Sequence, residues 1–473
     1  MLIEKFLQDK YNYNSEIKDN IESYIDKWRS WYVGNVKNFH DYFVYNGRRK
    51  VPQKRYTMNM AKSISEDWSD IIWSEKCAIS LKEKNSQQQF NELSDKLDLY
   101  YIINQAIEKS GALGTCATVT SVYDLIYKED QMILDVSDAK TRIDIVDVRW
   151  IFPLSWNNKE IKECAFGSVE YKNGEKYIVL SVHKIANDGN YHIYNHLFKD
   201  TNGNIKEIEQ DEALTDFNTQ SNVKWFSIFK PMLTNNLFSN SPFGISQYAN
   251  AIDNLKAVDI CFDALKNEIK DGRKRVFVRT ELLNYDSNGN GRLVFDDNDI
   301  TIYALPENMT KDDLIQSDSD TLRTSQQIET LNVNLNILGN QVGFGENHYH
   351  FDGTNLSTAT AVVSSNSKLF RRKKKLEIGY ESSIYDLVVS ICYASTQFGN
   401  YNINFDDLVI KFDDSIIEDK EAESNRAMRE VQSGLLSKEE YRQKIFGETP
   451  EIAKKMIDEI KASNPTVQDL VGE

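Results

Sequence analysis

Residues 241–272 read SPFGISQYANAIDNLKAVDICFDALKNEIKDG. Ser241-Pro242 is an N-cap and N1 pair, and Gly272 is a stop of the C′ type. Between them Ile245, Tyr248, Ala249, Ile252, Leu255, Val258, Phe262, Leu265 and Ile269 mark one apolar face. The spacing predicts one helix of roughly thirty residues, about 45 Å long at about 1.5 Å per residue. Globular helices usually run about 8–20 residues. Strands follow at Arg275–Thr280, Arg292–Phe295 and Ile300–Leu305. A second helix over Ser319–Leu338 puts Ile328, Leu331, Leu335 and Leu338 on one face, and Gly339, Gly343 and Gly345 then break the chain. The whole stretch to Asn355 is too long and narrow for one lobe of a compact enzyme. It reads as a stalk, which suits a protein that works inside an assembly.

Working toward the N-terminus, the period of residues 115–229 is two. Candidate strands cover 115–124, 131–136, 141–147, 160–171, 175–184, 190–198 and 222–229. Turn chemistry separates them at Lys172-Asn173-Gly174, Asp188-Gly189-Asn190 and Asn202-Gly203-Asn204. Residues 1–110 are mostly helical: Ile17, Ile21, Tyr24, Ile25 and Trp28 form one face, and Met60, Ile64, Trp68, Ile71 and Ile72 a second. A third helix is expected over 86–109, ending at Gly111. Toward the C-terminus, a long helix is expected from Ser357 to about Phe398. Residues 411–473 form a separate helical unit with helices at 419–433, 437–446 and 449–462 and stops at Gly434 and Gly447. Helices segregated from an antiparallel sheet make the class α+β.

The 473 residues suffice for two to four domain-sized units. The formal net charge of −16 argues against a protein that wraps DNA with Lys and Arg, but not against one that surrounds DNA without gripping it. Five scattered cysteines (Cys77, Cys116, Cys164, Cys261, Cys392), with no CxxC, point to a reducing compartment. The charged N-terminal segment does not read as a signal peptide, and no window reads as a membrane span.

The local motifs each have two readings. Asp286-x-Asn288-x-Asn290-Gly291 begins like a calcium loop, but position twelve is Asp297 and the flanks are strands, so a hairpin turn fits better. His348-x-His350 lacks a third ligand at a recognised spacing, so a polar loop fits better than a metal site. No P-loop, G-x-S-x-G or H-E-x-x-H occurs, and no nucleophile–base set can be assembled. No cofactor, metal or catalytic residue is expected. Two basic clusters stand out: Lys266, Lys270, Arg273, Lys274, Arg275 and Arg279 at the end of the long helix, and Arg371 to Lys375 in the later one. Each contacts phosphate or an acidic partner, or else forms a solvated face or ion pairs between subunits.

Three sets of residues, in this order, resemble the portal proteins of long-tailed double-stranded DNA bacteriophages, especially those infecting Gram-positive hosts. The first is Trp31-Tyr32-x-Gly34, Phe39-His40-x-Tyr42 and Asn59 to Ile64. The second is Asn240 to Gly244 opening one helix and Thr358 to Val362 opening another. The third is Phe412 to Asp419 with Ser433 to Tyr441. The resemblance covers essentially the whole chain. It implies an elongated architecture: wing (1–241, with a helix and return at 356–410), stem helices (242–271 and 318–340), clip (272–317), tunnel loop (341–355) and crown (411–473). It further implies a ring of twelve subunits at the capsid vertex, assembled in the host cytoplasm, through which DNA enters and leaves without sequence preference. The implied partners are the terminase large subunit, the major capsid and scaffolding proteins and a head-completion or adaptor protein, with no membrane. Gln341, Phe344, Asn347, His348, Tyr349 and His350 would line the tunnel loop, offering polar and aromatic contacts rather than fixed Lys or Arg charge. The competing reading is a nucleic-acid-processing enzyme or motor component of the packaging machinery, motivated by the basic clusters.

Overall fold

The computed structural model describes residues 2–45, 49–123, 126–128, 131–135, 140–157, 160–201, 203–208, 216–271, 275–279, 284–285, 291–292, 302–305, 315–318, 322–351, 359–413, 427–446 and 448–463. Contacts divide the chain into two units, Met1–Leu356 with Arg371–Phe412, and Ser357–Phe370 with Asp413–Glu473.

The first unit opens with α1 (Leu2–Tyr11), α2 (Glu16–Val33), the hairpin β1 (Asp41–Tyr45) and β2 (Lys50–Lys54), α3 (Met60–Ile72) and β3 (Ala78–Ser80). The helix α2 stops at Gly34, whose φ of 73° is open to glycine. There the N–H groups of Gly34 and Asn35 satisfy the carbonyls of Trp31 and Ser30. The hairpin is a departure from the helical expectation for residues 1–110.

The single helix expected over 86–109 is two, α4 (Lys84–Lys96) and α5 (Leu99–Leu113). Asp98, left-handed at φ 49°, turns the chain between them. The break lets Phe90 and Leu93 of one helix and Leu99 and Ile103 of the other all be buried. Gly111 is not the stop. It lies within α5, where a Cβ would sit 2.9 Å from the Gln247 side chain, and the stop is Gly114 at φ 84°.

The strands are β4 (Cys116–Tyr123), β5 (Ile126–Lys128), β6 (Gln131–Asp135), β7 (Lys140–Asp147), β8 (Ile151–Asn157), β9 (Glu160–Lys172), β10 (Glu175–Ile185), β11 (Tyr191–Thr201), β12 (Asn204–Ile208), β13 (Asp216–Asn218) and β14 (Phe226–Phe229). One sheet has the order β12-β11-β10-β9-β8, with β13 also on β11, and another the order β14-β4-β7. All these pairings are antiparallel. The alternation of β10 turns Ile178, Leu180 and Val182 to one face, where they pack with Ile3 and Leu7 of α1 and with Phe152, Ala165 and Phe198. Full burial of each such aliphatic side chain stabilises by about 1.5–3 kcal/mol.

Next come α6 (Ile252–Asp271), β15 (Arg275–Arg279), β16 (Asn284–Tyr285), β17 (Gly291–Arg292), β18 (Ile302–Leu305), β19 (Ile315–Asp318) and α7 (Thr324–Val342). The helix expected from residue 242 begins ten residues later, after a 3₁₀ turn at Ala249–Ala251. The reason lies in the backbone donors of 244–247. Gly244 N–H donates to Thr115 Oγ1 at 2.9 Å, and Gln247 N–H to the Gly111 carbonyl at 2.8 Å. Those groups are committed to α5 and its exit, so no i−4 ladder forms. The strand β15 pairs parallel with β18 and antiparallel with β19.

The long helix α8 (Ala359–Gln397) is followed by β20 (Val409–Lys411), which pairs with β3. From Tyr380 onward α8 meets the β14-β4-β7 sheet through small hydroxyls. Ser390 Oγ is 2.7 Å from Thr120 Oγ1, and Ser227 Oγ donates to the Ser383 carbonyl at 2.6 Å.

The second unit contains a helical turn at 427–432, α9 (Lys438–Phe446) and α10 (Pro450–Ser463). Ser437 and Glu440 form a reciprocal capping box at 2.8 and 3.1 Å. Arg442 grips Glu448 with two hydrogen bonds, and Ala427, Ala453 and Ile457 are buried. Of the first expected helix, 419–433, residues 419–426 lie outside the described residues, as does the tail Pro465–Glu473.

Candidate functional site

The helices α6 and α7 run antiparallel. Three cross-links fix the direction: Arg323 clamps Glu268 through Nε and Nη2 at 3.2 and 3.1 Å, Asn334 Nδ2 lies 3.4 Å from Cys261 Sγ, and Asn254 hydrogen-bonds Gln341. Gln341 Nε2 also donates to the Asn250 carbonyl at 2.7 Å. The seam between the two helices buries Leu255, Val258 and Leu265 against Leu331, Leu335, Leu338 and Val342. Ile260, Val333 and Ile337, by their helical phase, face away from this seam and are about half exposed.

Two carboxylates one turn apart attach α6 to the N-terminal segment. Asp259 Oδ1 accepts the Met58 N–H at 2.9 Å, and Asp263 Oδ1 accepts the Tyr56 N–H at 3.1 Å. His40 completes the joint. Its Nδ1 accepts the Val36 N–H at 2.8 Å, so its proton is on Nε2, 3.0 Å from Asp259 Oδ2. The signal for this joint is present in the sequence: Asp259 and Asp263 sit i, i+4 beside the apolar residues Val258 and Phe262.

At the end of α7 the chain folds back. Gly343, at φ 102°, closes the helix by donating to the Gly339 carbonyl. A Cβ on Gly343 would lie 2.9 Å from Cγ of Arg372, so α8 packs directly beneath. Phe344 then enters a stack, with its ring centre 4.5 Å from Trp68 and 4.2 Å from His348. Asn347 and Asn336 exchange hydrogen bonds, and Phe351 N–H donates to Asn332 Oδ1 at 2.8 Å. Tyr349 donates its hydroxyl to Asp67 Oδ2 at 2.6 Å, and His348 Nε2 stands 3.9 Å from the same oxygen. Burial alone would raise the Asp67 carboxyl. The hydrogen bond from Tyr349 and the nearby His348 ring outweigh it and hold the group below the usual carboxylate range. Burial, and then Asp67 itself, push the Tyr349 phenol upward, so it stays protonated and keeps donating.

The six residues expected in this loop therefore separate. Phe344 is 1% exposed and packs inside the subunit against Trp68. Gln341 and Tyr349 are tied to α6 and α3, whereas Asn347, His348 and His350 face solvent. Trp68 and Asp67, which hold the loop, are not legible as partners from sequence, since nothing local to α3 points to residue 344 or 349. Residues 352–355 of the loop lie outside the described residues.

The first basic cluster is only partly described. Lys266 lies over the Phe262 ring at 5.1 Å, Lys270 is in the last turn of α6, and Arg275 and Arg279 begin and end β15. Arg273 and Lys274 lie outside the described residues. In the second cluster Lys373 is 0% exposed and sits 3.0 Å from Glu377, which also takes Lys374 at 3.3 Å, and Arg372 is largely buried. The Lys373 and Lys374 charges are paired within the chain, whereas Arg371 and Lys375 are exposed. The Asp286–Asn290 turn is outside the described residues, but its flanks pair antiparallel, Tyr285 with Gly291, as a hairpin requires.

A cavity of about 430 Å³ lies between the two sheets, lined by Val119, Phe166, His183, Phe217 and Trp225. Burial pushes His183 down to about 3, far too weak a base for proton transfer near neutral pH. Among the described residues no group of three or more His, Cys, Asp or Glu is placed to hold a metal ion, and no helix is long and apolar enough to cross a membrane.

A family model described as phage portal protein, SPP1 Gp6-like, matches residues 12–468. No curated protein matches the chain. With the match spanning nearly all of its length, the chain belongs to the SPP1 Gp6-like family of phage portal proteins, and its function is that of a portal vertex protein.

Proposed function

We propose that copies of this chain close into a ring whose channel carries double-stranded DNA into the capsid and out again. The observation that carries this, beside the family match, is the apolar side chains that the α6–α7 pair leaves exposed away from its seam. A helix pair that has already buried one seam gains nothing from exposed Ile260, Val333 and Ile337 unless a neighbour covers them. A heterologous interface repeated around a closed ring supplies that neighbour. In this reading α6 and α7 are the stem, the strands between them the clip, residues 341–355 the tunnel loop, residues 1–241 and 356–410 the wing, and 411–473 the crown. Twelve subunits is the number the family resemblance implies.

The electrostatics support a passage rather than a grip. DNA that must slide is poorly served by many phosphate contacts, and the formal charge is −16. The solvent-facing loop residues Asn347, His348 and His350 include no Lys or Arg. The clip, carrying Arg275 and Arg279, is the proposed docking surface for the terminase large subunit and then for a head-completion or adaptor protein. The rim of the wing would meet the major capsid and scaffolding proteins. The test is assembly of phage heads with and without this chain. Heads built without it are expected to hold no genome, and supplying the chain is expected to restore packaging. Normal packaging in its absence would overturn the assignment.

A further inference from the structure

The β1–β2 hairpin presents a surface that the channel reading does not use. Its register pairs Asp41 with Lys54, Phe43 with Pro52 and Tyr45 with Lys50, so these six side chains share one face. All six positions are exposed, Phe43 by 68% and Tyr45 by 66%. On the opposite face the Arg55 guanidinium covers the Tyr42 ring at 4.8 Å.

A two-stranded hairpin is marginal by itself in water. This one is anchored at its base. The Arg55 N–H donates to the His40 carbonyl at 2.7 Å, and Arg55 Nη1 donates to the Phe39 carbonyl at 2.7 Å. Tyr56 N–H and His40 Nε2 then join Asp263 and Asp259 of α6. The exposed aromatic face is thus held in place by α6, and little ordering is left for a partner to impose.

Charge indicates the partner. Residues 41–56 hold Arg48, Arg49, Lys50, Lys54 and Arg55 against the single Asp41, a local charge of +4 in a chain of −16. The rest of the chain therefore carries a net −20, so a second copy is on balance complementary in charge to this hairpin. Duplex DNA fits less well. It rewards Lys and Arg but gives a Phe–Pro pair no unstacked base to meet.

We propose that this face docks on an acidic surface of a second copy of the chain. Phe43 and Tyr45 act as desolvated aromatic anchors, and Lys50 and Lys54 form a basic rim. The inference rests on the ring reading for its geometry, since the contact repeats between neighbours.

The test uses the full chain with a photocrosslinking benzoyl-phenylalanine at position 43, in a mixture of ¹⁵N-labelled and unlabelled copies. Crosslinked peptides joining labelled to unlabelled chains, on an acidic segment, are expected. In parallel, F43S/Y45S is expected to raise the protein concentration for half-assembly about tenfold, the scale of a lost aromatic anchor. K50E/K54E, wholly on the surface and checked for native circular dichroism, is expected to act in the same direction. Crosslinks confined to one copy, or unchanged assembly of both variants, would overturn the proposal. Unchanged assembly with weakened DNA binding would assign the face to DNA instead. Absence of rings for the unsubstituted chain would count against the ring reading alone if crosslinks between copies still form.

Discussion

The Tyr349 hydroxyl donates to Asp67 Oδ2 at 2.6 Å, tying the loop after α7 to α3 across 282 residues of chain. The same carboxylate lies near His348, whose ring stacks on Phe344. One acidic group on α3 thus sets the position of a loop proposed to face DNA.

Because the folded Asp67 carboxyl lies below its unfolded value, its contribution is fully present above the unfolded pKa of about 3.9 and is lost as pH falls through the folded pKa. Hydrogen exchange at Asn347 to Tyr349 is expected to lose protection as the pH falls below the unfolded value of Asp67. D67N is expected to weaken protection at neutral pH and to flatten the acid response. A loop protected equally in D67N and the unsubstituted chain would contradict the clamp.

Gly343→Ala places a side chain at φ 102° and a Cβ 2.9 Å from Arg372. A left-handed conformation costs an L-residue about 1–2 kcal/mol, and the contact adds to it. Urea unfolding is expected to show at least that loss. Gly434→Ala has a positive φ but nothing within 4 Å, so it is expected to cost less.

Asp259→Ala leaves the Met58 N–H and the His40 Nε2–H without their acceptor in a buried site. The expected cost is about 2–5 kcal/mol, from two orphaned donors. Asp259→Asn keeps one acceptor and is expected to cost less. Chemical denaturation of both variants checks the order.

Glu377→Ala removes the carboxylate 3.0 Å from the buried Lys373 ammonium. Breaking one side of such a pair typically costs about 3–5 kcal/mol, whereas replacing both partners by apolar residues is often near neutral. The K373M/E377M double variant is therefore expected to recover most of the loss. The salt dependence of any DNA binding is expected to be the same in it. A reduced salt slope would instead return Lys373 to the phosphate-contacting class.

How far the fold is legible depends on whether the deciding contacts are local. The helix at 324–342 can be read because Leu331, Leu335 and Leu338 recur at helical spacing, and the antiparallel hairpins because Asn173-Gly174 and Gly189 demand turns. The start of α6 cannot. Residues 242–248 carry a helical pattern, but Gly111 and Thr115, more than a hundred residues away, take their hydrogen bonds. The strand β8 is hidden because Ile151-Phe152-Pro153-Leu154 does not alternate, and Pro153 is tolerated there because β8 is a sheet edge. At the loop, the glycines and the pair of histidines mark where the chain must turn. That Phe344 points inward is decided by Trp68, a partner known only in three dimensions.

Electron microscopy of the purified full chain is the most direct test of the portal reading. The account predicts closed rings of cyclic symmetry, about twelve subunits by family resemblance, with a central hole passing duplex DNA and α6, α7 and residues 345–351 at its wall. Particles that remain monomeric or dimeric over a wide range of concentration and salt, or rings with α6 and α7 on the outer surface, would contradict it.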